Sequence, residues 1–154
     1  MNLEYSKPEI EQKVLIAISV LRKNDSFLLE NAAHERSITH KLAEYLQFQF
    51  PECHVDCEYN LDGIETKILP RECNGENMEK VYPDIVVHIR GTTHNLLVIE
   101  AKSHPGIDNC DKIKLELFTT QSERYRYKYG LAIGFHGLGN PQMTWFINGN
   151  AEDI

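Results

Sequence analysis

The chain has no apolar run near the roughly 20 residues that a membrane-spanning helix needs, which excludes a helical transmembrane protein. Its start, MNLEYSKPE, is acidic and polar and does not read as a secretory signal. A cytoplasmic protein is the expectation. Positive charge is also scarce: 16 lysines and arginines stand against 23 aspartates and glutamates, a net charge of −7. That argues against a general electrostatic grip on nucleic acid. It leaves room for carboxylates clustered to hold a cation, which offsets their charge locally. The four cysteines, Cys53, Cys57, Cys73 and Cys110, include no Cys-x-x-Cys pair, so a paired-cysteine finger is excluded. A looser zinc site from Cys53, Cys57, Cys73 and a histidine stays open, with reduced thiols the default. No helix-turn-helix pattern, basic arm, repeat or linker is legible. Gly137-Leu138-Gly139 lacks the further glycine spacing of a dinucleotide loop, and nothing else implies an organic cofactor.

What is present is a chain of 154 residues, 42% hydrophobic, enough for one domain over residues 1–154. Its most informative stretch is 81–102, VYPDIVVHIRGTTHNLLVIEAK. Two apolar, β-branched runs, 85–89 and 96–99, flank a short polar turn, which predicts a strand pair. Residues two apart share a face of a strand. Asp84, Val86, His88 and Arg90 therefore share one face of the first run, and Leu96, Val98, Glu100 and Lys102 one face of the second. A carboxylate in an apolar strand carries a large desolvation cost unless it is paired. Lys102 could pair Glu100, and so could a divalent cation shared by Asp84 and Glu100. A plain surface ion pair of Glu100 with Lys102 or Arg90 is the simpler alternative.

Helical spacing of Ile10, Val14, Ala17, Ile18 and Leu21 predicts a first helix over 8–24, with Pro8 suited to its first turn. A second is predicted over 32–48. At 100° per residue, Ile38, Leu42 and Leu46 cluster about Glu35. Glu35 is thus an acid on the inward face, near the end where the helix dipole also favours it. Residues 54–60 alternate as a strand and 64–69 as its returning partner. Glu58 is an accessory acid or a partner of Lys67 across that hairpin. The stretch 70–80 is polar and reads as a loop. A third helix, 108–121, is predicted with Cys110, Ile113, Leu117 and Thr120 on its apolar stripe. Two further strands follow, 129–135 and 143–147. Arg124, Arg126 and Lys128 interleave with Tyr125, Tyr127 and Tyr129, a pattern that grips phosphates and stacks bases or packs tyrosines over a sheet beneath solvated basic heads.

The pattern Pro83-Asp84, fifteen residues, then Glu100-Ala101-Lys102 resembles the signature of the PD-(D/E)XK nuclease superfamily. The chain also resembles a group of small bacterial members in its segments ERSITH, VDCEYN, YPDIVVH and NLLVIEAK. The resemblance covers roughly residues 32–135. It implies an α/β fold with a restriction-endonuclease-like α-β-β-β-α-β core, a mixed central sheet flanked by helices, and an extra N-terminal helix. It implies Mg²⁺ (or Mn²⁺) held by Asp84, Glu100 and the carbonyl of Ala101, Lys102 orienting water or steadying the phosphate, and Glu35 as a further acid. The expected activity is hydrolysis of phosphodiester bonds in nucleic acid, DNA first, with Arg124, Arg126 and Lys128 as nucleic-acid contacts. A homodimer would suit the cutting of two strands. The rival reading is a non-catalytic module of the same fold that binds nucleic acid or a protein.

Overall fold

A computed structural model of the chain describes residues 4–59, 61–62, 65–66, 72–73, 76–77 and 82–152. Helix α1 spans Lys7–Asn24. Ser6 caps it by accepting from the Glu9 amide, while the Glu9 carboxylate accepts from the Ser6 amide. This reciprocal arrangement satisfies two otherwise orphaned donors. Ile10, Val14, Ala17, Ile18 and Leu21 face inward as their spacing requires. A five-residue helix, α2 (Ser26–Glu30), follows where only a short apolar stretch was expected. Ala32 then takes a positive φ of 43°, so the second long helix, α3 (Glu35–Gln49), starts later than its apolar periodicity implied. His34 caps α3: its ring Nδ1 accepts from the Arg36 amide at 3.3 Å.

Strand β1 is His54–Cys57. Two short antiparallel ribbons come next: β2 (Leu61–Asp62) with β3 (Glu65–Thr66), and β4 (Glu72–Cys73) with β5 (Glu76–Asn77). Then come β6 (Ile85–His88), β7 (Asn95–Lys102), helix α4 (Asn109–Thr119), β8 (Tyr129–Gly134), β9 (Gln142–Ile147) and β10 (Asn150–Ala151). The main sheet has six strands in the order β1-β6-β7-β8-β9-β10. Every neighbour pair is antiparallel except β7 with β8, which are parallel and joined through α4. Parallel neighbours need such a crossover.

The expected hairpin between 54–60 and 64–69 does not form in that way. β1 pairs with β6, and β3 pairs with β2. Glu58 takes a positive φ of 50° directly after β1, which ends the strand before it can turn back on itself. Lys67, its expected partner, lies outside the described residues, as does most of the 70–80 stretch.

The two faces of the sheet bury different helices. Val87, Leu97, Ile99, Ala101, Leu131 and Ile133 pack with α1 and α3. Val86, Val98 and Ala132 pack with Leu115 and Phe118 of α4 and with Tyr125, Tyr127 and Phe146. The result is an α/β sandwich with a mixed sheet between flanking helices. Burying side chains such as Leu21, Leu42 and Leu46, which are fully inaccessible, contributes roughly 1.5–3 kcal/mol each. No helix among the described residues is long and apolar enough to cross a membrane.

Candidate acidic site

The register of β6 with β7 matches Ile85 to Ile99 and Val86 to Val98, so Asp84 stands opposite Glu100 one step further on. Period two puts both side chains on the α4 face. Asp84 is half-buried, and its Oδ2 accepts from the Ala101 amide at 2.8 Å. Glu100 is only 3% exposed, and its Oε1 has no hydrogen-bond partner among the described residues. An unpartnered buried carboxylate oxygen costs free energy and calls for an explanation.

The electrostatics follow from this placement. Burial, then the neighbouring Asp84 and Asp111, hold the Glu100 carboxyl well above its usual range, against the pull of Lys114. Burial also raises Asp84, against the hydrogen bonds it makes with the Ala101 amide and the Glu100 carboxyl and the charge of Lys102. Two acids thus face each other across paired strands, and a proton resides between them more readily than at an exposed carboxylate.

Lys102 ends β7 on the same face. Its Nζ lies 3.2 Å from Asp111 Oδ2, and Lys114 Nζ lies 3.5 Å from Asp111 Oδ1. Burial disfavours the Lys102 ammonium, but Asp111, Glu35 and Asp84 outweigh it and raise the group above its ordinary value. Glu35, the first residue of α3, reaches the end of β7 from the other layer: its Oε1 accepts from the Ser103 amide at 3.4 Å. The four acids and bases expected from sequence, Glu35, Asp84, Glu100 and Lys102, therefore converge at one end of the sheet.

Asp111 was not anticipated. The expected stripe on α4 was Cys110, Ile113, Leu117 and Thr120. The residues actually buried are Asp111, Leu115, Leu117, Phe118 and Thr119. Asp111, Leu115 and Phe118 recur at helical spacing, the same kind of signal that singled out Glu35. The acid at the head of that stripe left it out of the apolar count.

Among the described residues, no group of three or more histidine, cysteine, aspartate or glutamate side chains is placed so that it could hold a metal ion. The oxygens of Asp84 and Glu100 are the hard donors that Mg²⁺ or Mn²⁺ takes. Glu100 Oε1, without a hydrogen-bond partner among the described residues, is an oxygen of that kind. The site opens onto a cleft of about 220 Å³ that Glu35, Arg36, His40, Glu58 and Asp84 help to line.

The basic segment lies elsewhere. Leu97 matches Tyr129 and Lys102 matches Gly134 in the β7–β8 register. Arg124, Arg126 and Lys128 precede β8, so they sit at the opposite end of the sheet from the acids, about 16 Å along the strands at roughly 3.3 Å per residue. The three cations are exposed and the three tyrosines buried. Lys128 Nζ donates to the Tyr5 carbonyl at 2.9 Å and Arg126 Nε to the Glu123 carbonyl at 3.1 Å. The tyrosine rings belong to the core, which leaves no ring face there on which a base could stack.

The cysteines also depart from expectation. Cys73 and Cys110 form a disulfide that ties β4 to the first turn of α4. Cys73 is therefore lost to the zinc site considered above, and two of the four thiols are not reduced. Burial, then Glu52, pushes the Cys53 thiol up to about 11. Desolvation, then Glu58, Asp56 and Asp84, does the same to Cys57. Neither offers a thiolate at neutral pH.

Comparison with family models, with curated proteins and with solved structures returned no match for this chain.

Proposed function

We propose that the chain is a metal-dependent nuclease of restriction-endonuclease-like topology that hydrolyses phosphodiester bonds of nucleic acid, with DNA as the first substrate to test. One observation carries the reading: Asp84 and Glu100 face each other across paired strands, and a buried Glu100 oxygen has no hydrogen-bond partner among the described residues. Asp84, Glu100 and the Ala101 carbonyl would hold the ion. When bound, Mg²⁺ or Mn²⁺ supplies an activated water and relief of charge on the phosphoryl oxygens. Lys102 brings a positive charge to the place where the phosphate becomes more negative, and Asp111 holds its ammonium in position. Glu35 orders the end of β7 through Ser103 and adds a further acid at the rim.

The test is calorimetric titration of Mn²⁺ and Mg²⁺ into the wild type and into Asp84→Asn, with cleavage of single-stranded, duplex and RNA substrates followed in parallel. Binding and cleavage by the wild type, both lost in the variant, are expected. Cleavage at the wild-type rate by Asp84→Asn overturns the assignment. A second reading, a non-catalytic module of the same fold, is favoured by one observation: Lys102 is already engaged by Asp111 and Lys114 shares that carboxylate. Nucleic-acid binding without cleavage in either metal would select it.

A further inference from the structure

The cleft beside Asp84 contains an arginine and two histidines as well as acids, and these three come from one short run of sequence. His34, Arg36 and His40 line it from the cap and first turns of α3, facing Glu58 and Asp84. Resting on the nuclease reading above, we propose that this cleft binds the phosphodiester backbone next to the scissile bond, with Arg36 as the phosphate contact and Glu58 as the internal anion that holds Arg36 while no phosphate is there.

Four observations carry this. First, Arg36 Nε lies 3.3 Å from Glu58 Oε1, and the Arg36 side chain is 78% exposed. Among the described residues one carboxylate oxygen contacts the fork of five donors, and most of the side chain is open to solvent. A guanidinium so placed matches the bidentate geometry of a phosphate. Second, Glu58 is set there by the backbone. Its φ of 50° is unusual for a non-glycine residue and costs free energy. Its amide donates to the Asp84 carbonyl at 3.2 Å. The kink that ends β1 thus couples Glu58 directly to the residue before β6. Third, the ring Nδ1 of His34 accepts from the Arg36 amide, which leaves Nε2 as the ring's donor on the same rim. His40 lies one helical turn beyond Arg36 and lines the same cleft. Fourth, Arg124, Arg126 and Lys128 occupy the other end of the sheet, so a phosphate held at Asp84 cannot use them.

The pairing of Arg36 with Glu58 also answers the charge problem. The protein carries a net charge of −7, and Arg36 is paired with Glu58, in a cleft that Glu35 and Asp84 also line, until a ligand competes for it. A phosphate displaces the Glu58 contact, and Glu58 then repels the ligand. Glu58 therefore tunes affinity downward and favours a strand that also engages the rest of the site. A residue of this kind positions the substrate and takes no part in bond breaking.

The experiment measures fluorescence anisotropy of a labelled oligodeoxynucleotide, single-stranded and duplex, in Ca²⁺ across a salt series. It compares the wild type, Arg36→Ala, Glu58→Gln and Lys112→Ala, the last an exposed residue on the outward side of α4. Arg36→Ala is expected to weaken binding about tenfold. It should also lower the slope of log affinity against log salt by about 0.9 for duplex or about 0.7 for single strand, the loss of one phosphate contact. Glu58→Gln is expected to tighten binding by a few-fold, and Lys112→Ala to leave it unchanged. Mn²⁺ calorimetry on each variant keeps this idea separate from the nuclease reading. Metal binding with no effect of Arg36→Ala overturns the phosphate cleft and spares the nuclease. An Arg36 effect in a protein that binds no metal does the reverse. Glu58→Gln weakening both metal and oligonucleotide binding would make Glu58 a metal ligand and overturn the proposal. So would a wild type that fails to bind the oligonucleotide at low salt.

Discussion

The ammonium of Lys102 lies 3.2 Å from the carboxylate of Asp111, joining the end of β7 to the first turn of α4. Asp111 is the one buried acid of that helix, and Lys114 completes a three-charge cluster around it. Removing the acid leaves two ammonium groups facing each other at the sheet. Asp111→Asn should therefore destabilise the fold by on the order of 2 kcal/mol. That is below the roughly 3–5 kcal/mol of a fully buried pair, because both lysine side chains stay about a quarter exposed. At this chain length it is a fall of roughly 4–8 °C in Tm. An unchanged melt would mean the cluster is a solvated surface pair.

Glu100 makes a prediction of opposite sign. Its folded-state carboxyl sits well above the ordinary value of 4.5, from burial first and then Asp84. The folded protein holds a proton that the unfolded chain gives up, so stability from this group falls as pH rises above about 4.5 towards the folded value. Glu100→Gln in EDTA should be more stable than the wild type at pH 8 and close to it at pH 4. The gap widens by at most about 1.4 kcal/mol per pH unit. Urea melts across that range check it; a gap that narrows with rising pH contradicts the buried-acid picture.

Asp56 behaves the other way. Arg90 Nε donates to its Oδ2 at 2.8 Å, Arg90 Nη2 to its Oδ1 at 2.5 Å, and His88 Nε2 lies 2.8 Å from Oδ2. Burial works against ionisation, but the Arg90 and His88 contacts outweigh it and hold the carboxyl below 3.8. Its contribution is present above about pH 4 and is lost as pH falls through the lower folded value. Asp56→Asn should cost about 1.5 kcal/mol at pH 7, and wild type and variant should converge near pH 2. Acid titration followed by circular dichroism would show whether they do.

The Cys73–Cys110 bridge closes a loop with a sequence separation of 37. Constraining the unfolded chain by that loop contributes roughly 2–4 kcal/mol. Cys73→Ala with Cys110→Ala should lower Tm by about as much as reduction does in the wild type, and reduction should leave the double variant unmoved. A double variant as stable as the oxidised protein would show that the bridge adds nothing.

Local periodicity accounts for what was legible in the amino-acid order alone. The apolar spacing and Ser6–Glu9 box of α1, the β6–β7 pair, and the opposition of Asp84 to Glu100 all depend on neighbours within a few residues or across one short turn. Glu35 belongs with them, because a helix carries its own phase. Contacts between distant segments were decided by the tertiary structure. The crossover through α4 sets which turn of that helix meets the sheet, and so brings Asp111 rather than Ile113 beneath Lys102. The parallel register of β7 and β8 sends Arg124 to Lys128 to the far end of the sheet. The pairing of β1 with β6 and the reversal at Glu58 bring that acid to Arg36. Each of these depends on how elements far apart in the chain share one apolar interface, which no local pattern of residues records.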